Sequence, residues 1–352
     1  MHRPVLTVAL LFASITSAAA QSAQPAPRAP EPAIRRWFEF QQLVLSTRYR
    51  FIRNSADVTT SNHMQYREQV RFRVNVDAKK RYTLNVGLFT GTQYIASWNN
   101  LGPGTGTFDG KSHYMRQFFF DATPLPGIEA QVGSLYPNRG EHTEYTTYDD
   151  DGWVTGGRLS LRRPKTLYFD DLSLTHGTIA STGTPNLWKR WDDLDHTNYT
   201  QVLVGKHLTS MVAASVDYTR HASRDTFRGA VSMRFKPTAP ISALRYEQYV
   251  RTTDPDSAAG FAVTVERPIT RWVRAQGGYA TIDEHYGGLN ADRIQRGRRF
   301  YAVANVPIHG PLTASFFVTR ALDAPYTLSN KTRFDAVLAY DLAAALRQTG
   351  KF

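Results

Sequence analysis

Several short stretches of the chain carry residue types that can do chemistry. GKSH at 110–113 has the Gly-Lys-Ser of a phosphate-binding loop. The first glycine of that motif would fall at Thr105, with Gly104 and Gly106 each one position off, so the loop cannot close around a phosphate. DDDG at 149–152 offers carboxylates for a calcium ion. It lacks the alternating ligand spacing and distal glutamate of an EF-hand loop, and reads as a solvated acidic segment. For acyl transfer the nearest serine turn is VGSLY at 132–136, which lacks the second glycine of a nucleophile elbow. His113, His142, His176 and His196 could in principle partner a serine, as in outer-membrane hydrolases, but fall at strand ends and in loops. None has the i, i+2 or HxxxH spacing of a metal pair. With no cysteine in the chain, thiolate sites, catalytic thiols and disulfides are excluded. Neither a cofactor nor a catalytic residue is assigned.

What remains is arginine in alternation. QYREQVRFRVNVD at 65–77 puts Tyr66, Val70, Phe72, Val74 and Val76 on one side, with Glu68 as the exception. Arg67, Arg71 and Arg73 fall on the other side, a period of two that defines a β-strand. The pattern returns in DTFRGAVSMRF with Arg228 and Arg234, in ISALRYEQYVR with Arg245 and Arg251, and in RWVRAQGGYA with Arg274. Whether the apolar face meets a protein core or lipid decides whether these arginines coat a secreted sandwich or solenoid or line a water-filled lumen.

The elements carrying them occur in a particular order. About sixteen alternating segments of roughly ten residues can be traced from 34 to 352. The connections mostly alternate long and short: loops at 54–62, 97–111, 137–152, 179–195, 252–260, 283–297 and 321–330, with tight turns such as 77–81, 123–127 and 236–240 between them. The connection near Ala222–Arg224 is shorter than that pattern. A sandwich gives no reason to gather long loops at one end of every hairpin, whereas a closed transmembrane barrel does. Aromatic residues near strand ends (Tyr49, Phe51, Tyr82, Trp153, Tyr218, Trp272, Tyr279, Tyr340) fit interfacial girdles. A mean hydropathy of −0.40 is too polar for a bundle of membrane helices. An even strand number brings both ends of the barrel to the turn side.

Residues 1–20 run from a basic start through the apolar stretch VLTVALLFASI to SAAA, the order expected of a secretory signal peptide with cleavage after Ala20. Residues 21–33, QSAQPAPRAPEPA, read as an extended linker, and 34–352 as one barrel. The net charge of +12 fits an anion path, and export removes nucleic acid from the candidate partners.

The signal peptide, strand number, loop alternation and the terminal Phe352 together resemble the bacterial outer-membrane porins of the sixteen-strand class. The resemblance covers about 38–352. The segment DLAAALRQTG at 341–350 departs from it, because it tolerates helix and breaks the aromatic pattern of the last strand. The resemblance implies an all-β barrel, outer-membrane lipid and small solutes as partners, a homotrimer, and a third long loop folded into the lumen. That loop, 137–152, carries Glu141, Glu144, Asp149, Asp150 and Asp151, without the PEFG-type tip of the class. The expected function is a passive channel for small hydrophilic solutes, with a bias to anions from its guanidiniums. A receptor or adhesin barrel is the alternative, with Trp98, Trp188 and Trp191 as exposed loop aromatics. A barrel hydrolase is the other.

Overall fold

The computed structural model describes residues 36–91, 97–110, 113–141, 153–162, 168–179, 187–191, 194–253, 257–270, 272–283, 294–323 and 330–348. Residues 1–35, which hold the expected signal peptide and linker, lie outside the described residues, as does Phe352. The strands are β1 (Phe38–Asn54), β2 (Thr59–Asn75), β3 (Tyr82–Thr90), β4 (Asn99–Gly104), β5 (His113–Leu125) and β6 (Ile128–Leu135). They continue as β7 (Val154–Leu161), β8 (Asp171–Thr178), β9 (Tyr199–His207), β10 (Val212–His221), β11 (Arg224–Arg234) and β12 (Ala243–Arg251). The last are β13 (Ala258–Pro268), β14 (Arg274–Ile282), β15 (Gly297–His309), β16 (Leu312–Ala321) and β17 (Asn330–Asp341). Two short helices, α1 (Trp188–Trp191) and α2 (Leu342–Gln348), complete the described elements.

All strands lie in one sheet, and β1 pairs with both β2 and β17, so the sheet closes on itself. β3 and β4 both pair antiparallel with β2, at Gln69–Asn75 and His63–Tyr66 respectively. They are therefore two halves of one wall strand, the first ending at Thr90 and the second starting at Asn99. Counted this way the wall is a closed antiparallel barrel of sixteen strands. Closure satisfies every ladder donor and acceptor without leaving an edge, the condition for a sheet to stand in hydrocarbon.

The alternation of side chains follows the sequence. Val216 is 62% exposed, Val132 59% and Phe227 52%, and they belong to the outward apolar face of β10, β6 and β11. The inward positions are polar and tightly covered: Glu247 is 0% exposed and Gln201 1%. Inner aromatics lie flat where a neighbouring strand has glycine. The Tyr249 ring occupies the space over Gly260, where a Cβ would come within 2.6 Å of it, and Tyr301 covers Gly278 in the same way. The Tyr301 hydroxyl, thus held, donates to Val263 O at 3.0 Å.

Two connections differ from the sequence reading, and a third is as short as it was read. The loop expected over 54–62 shrinks to 55–58, because Asn54 Oδ1 accepts from the backbone N–H of Ala56 and Val58 at 3.0 and 2.9 Å and turns the chain tightly. The 97–111 loop contains β4, paired to the upper half of β2. The short connection at 222–224 is a turn with Ala222 and Ser223 both at positive φ (49° and 67°), the backbone of a two-residue hairpin. At the other end of the chain the helix-tolerant segment does become helix. Asp341 Oδ1 caps α2 by accepting from Ala344 N at 3.0 Å, and Arg347 Nη1 donates to Phe40 O at 3.3 Å.

Candidate functional site: the inner wall

Arg67, Arg71 and Arg73 share the inner face of β2 with Gln65 and Gln69. On β1 the same face carries Arg48 and Arg50, and on β17 it carries Arg333 and Asp335, brought alongside by the closing ladder. Arg50 Nε and Nη2 donate to the two Asp335 oxygens at 3.0 and 3.2 Å. Arg333 Nη2 reaches Asp335 Oδ2 at 2.7 Å, and Arg48 Nη1 stands 3.8 Å from the same oxygen. Three guanidiniums thus share one carboxylate, and Arg48 also donates to Gln65 Oε1 through Nε at 2.9 Å. A buried carboxylate holding several guanidiniums fixes their positions on the wall.

Trp98, just before β4, adds to this cluster. Its ring centroid lies 4.1 Å from the Arg48 guanidinium carbon and 4.6 Å from that of Arg67. Arg67 Nη1 also donates to Ser97 Oγ at 3.4 Å. Lower on β2, Arg71 lies 5.0 Å from the Phe89 ring and 4.6 Å from Tyr136. Tyr136 in turn meets Phe119 edge-on at 6.0 Å. Cation–π contacts of this kind hold a guanidinium without neutralising it. Arg73, nearer the turn end, pairs with Glu39 at 2.6 Å.

The segment after β6 does not stay at the rim. From Tyr136 it runs along the inner wall: Asn138 Nδ2 donates to Ser173 Oγ on β8 at 2.5 Å, and Gln201 Nε2 on β9 donates to Asn138 O at 3.1 Å. Glu141 N donates to Ser215 Oγ on β10 at 2.7 Å, and Ser232 Oγ on β11 donates to Glu141 Oε2 at 2.6 Å. In the closed order of strands, β10 and β11 stand halfway round the barrel from β1 and β2. Glu141 therefore lies on the wall opposite the arginine cluster. Small hydroxyl residues at Ser173, Ser215 and Ser232 leave room for the segment and supply its partners. A Cβ at Gly140 would collide with Ser215. Glu144, Asp149, Asp150 and Asp151 lie outside the described residues, as does His142.

The other arginines singled out from sequence take different surroundings. Arg228 is on the inner face of β11, yet it is buried and grips Asp217 of β10 through Nε at 2.9 Å and Nη2 at 2.5 Å. Arg245 pairs with Glu266 at 3.1 Å, and Arg251 is buried with its Nε 3.4 Å from Thr226 Oγ1. Arg234 and Arg274 are exposed near the turn end of their strands. Arg48, Arg50, Arg333 and Asp335 were not singled out, although TRYRF at 47–51 and TRFDA at 332–336 carry the same two-residue period.

Of the candidate histidines, the three among the described residues meet groups other than serine. His113 Nε2 meets Glu68 Oε2 at 2.6 Å, which also explains the one charged residue on the otherwise apolar side of β2. His176 Nδ1 meets Thr200 Oγ1 at 2.9 Å, and His196 Nδ1 meets Asp195 Oδ1 at 2.7 Å. A Ser–His contact that sequence reasoning missed joins Ser61 Oγ and His63 Nδ1 at 3.2 Å, two positions apart on one strand. Among the described residues no three His, Asp or Glu side chains gather as a metal site would need. Trp188 and Trp191 pack on one another at 5.2 Å and against Phe118 on the outer wall at 5.9 and 6.2 Å.

Solved structures match the barrel fold over most of the chain. A variant of the porin from Rhodopseudomonas blastica aligns with a TM-score of 0.57, covering 86% of this chain and all of its own. The chain has the fold of the sixteen-strand porins. An engineered protein studied for asymmetric conductivity aligns equally well, at TM-score 0.57 over 87% of this chain and all of its own. Both are 9% identical in sequence, so the likeness to porins is one of architecture. No known protein family and no curated protein matches the sequence.

Proposed function

We propose that this porin-like barrel is a passive channel of the bacterial outer membrane for small hydrophilic solutes, with a preference for anions. The observation that carries the reading is the charge across the lumen. Arg48, Arg50, Arg67, Arg71 and Arg333 occupy one wall, and Glu141 is hydrogen-bonded to Ser232 on the opposite wall. Opposed charges across a narrow aqueous passage orient dipolar solutes, and an excess of fixed guanidiniums raises the local concentration of anions.

In this reading residues 1–20 direct export, 21–33 form a linker and 34–352 form the barrel. Solutes move by diffusion, with no cofactor and no covalent step, and no residue has a catalytic role. Lipid surrounds the outer face, where Val216 and Phe227 are exposed. A trimer, as is usual for barrels of this shape, belongs to the same proposal. Besides Arg48, Arg50 and Arg333, the pore-lining set is Arg67, Arg71, Arg73, Arg234, Arg245 and Arg274, with Arg228 and Arg251 as buried supports. The segment 137–152 is the constriction.

The test is single-channel conductance of the refolded protein in a planar bilayer under a salt gradient. Large ohmic steps with a reversal potential on the anion side are expected. Folded, inserted protein that never conducts overturns the channel reading.

A further inference from the structure

The arginines of the β1–β2 wall are interleaved with rings. Trp98 contacts Arg48 and Arg67, Tyr136 contacts Arg71, and both of these rings are only half-buried. The rings behind them are fully covered: Phe89 is buried against Arg71, and Phe317 against Arg333. If the aromatic residues served only to brace the guanidiniums, buried rings would suffice. Instead, the half-buried Trp98 indole stands beside two cations at mid-wall, 4.1 Å from the Arg48 guanidinium carbon and 4.6 Å from that of Arg67. Trp98 and Tyr136 remain partly open to the lumen, next to guanidiniums held by Asp335, Gln65 and Ser97.

We propose that this wall is a binding station for aryl carboxylates. It rests on the channel reading for access, and it names the solute class. A flat aromatic ring extends the stack of indole and guanidinium planes, while its carboxylate takes charge-assisted hydrogen bonds from an adjacent arginine. A saturated ring of the same size and charge gains the second contact and loses the first. The discrimination is therefore between rings, at equal charge.

Binding is measured by calorimetry on the detergent-solubilised full barrel, with benzoate and cyclohexanecarboxylate as probes. Benzoate is expected to bind about three- to tenfold more tightly, the range that one ring–ring or ring–cation contact supplies. Trp98→Leu keeps apolar bulk and is expected to bring the two affinities together. Trp98→Phe is expected to keep most of the preference, and it guards against a Leu variant that fails to fold. Equal affinity for the two acids in the wild-type barrel overturns the proposal, as does a preference untouched in a folded Trp98→Leu variant. The outcomes separate the two readings. Anion conductance without a benzoate preference sinks only the aryl station, whereas benzoate preference in a barrel that never conducts sinks only the channel.

Discussion

Ser232 on β11 donates a hydrogen bond to Glu141 Oε2 at 2.6 Å, tying a segment that leaves β6 to a strand five wall positions away. The segment's backbone is tied as well, through Glu141 N to Ser215 Oγ at 2.7 Å. Glu141→Gln retains an acceptor for Ser232 and the backbone bond while removing the charge. The expected result is an intact channel whose reversal potential moves further to the anion side. A move toward cations, or none, would show that Glu141 does not shape the lumen field.

Asp335 is the common partner of Arg50, Arg333 and Arg48. Asp335→Asn leaves buried guanidiniums repelling one another without a counter-charge. Breaking a buried ion pair from one side typically costs about 3–5 kcal/mol. Denaturant unfolding of the refolded barrel should register a loss of that order. Removing one guanidinium as well, in Arg50→Met with Asp335→Asn, should recover part of it by easing the repulsion. Unchanged stability in Asp335→Asn would mean that the cluster is solvated and contributes little.

Tyr301 fills the space over Gly278, and a Cβ there would collide with both the Tyr301 hydroxyl and the Val263 carbonyl. Gly278→Ala should destabilise the barrel by roughly 1–3 kcal/mol through overpacking. The double variant with Tyr301→Phe removes the hydroxyl but leaves both the ring carbon that bore it and the Val263 carbonyl in the way, so it should recover only a small part of the loss. Thermal unfolding followed by circular dichroism reads both.

Outside the strands, Asp57 sits in the turn between β1 and β2, and Lys331 Nζ at the start of β17 donates to it at 2.5 Å. That hydrogen bond holds the Asp57 carboxyl below its ordinary value, against a smaller opposing effect of burial. A carboxyl depressed in the folded state contributes stability above its unfolded value near 4, lost as the pH falls through the lowered folded value. Lys331→Met should return Asp57 to the ordinary carboxylate range in a carboxyl-carbon NMR titration. An unchanged titration would place the cause elsewhere.

Much of this was legible in the sequence, because two-residue alternation states which side of a strand meets lipid and the order of long and short connections states which end each hairpin closes. The closed sixteen-strand wall and the inward arginines of β2 follow from that. The rest depended on contacts that periodicity does not encode. Nothing in SWNNLGPG announces that Asn99 and Asn100 pair with β2, or that Trp98 turns inward rather than outward as a loop aromatic. Arg228 reads as an exposed lumen residue until Asp217 is seen beside it, one strand back. Asn54 looks like the start of a polar loop, and its side chain instead ends that loop after four residues.

Arg50 and Asp335 are separated by 285 positions in the chain, yet they meet across the β1–β17 ladder. A nascent barrel has to hold β1 with an unfilled edge until the last strand has been synthesised and delivered. Contacts of such sequence separation form slowly, since the closure entropy must be met before the ladder rewards it. The charges on β1 are suited to that wait: an edge carrying Arg48 and Arg50 repels another copy of itself. The carboxylate that completes them arrives only with the final strand, so the Arg50–Asp335 pair can form only once the ladder has closed.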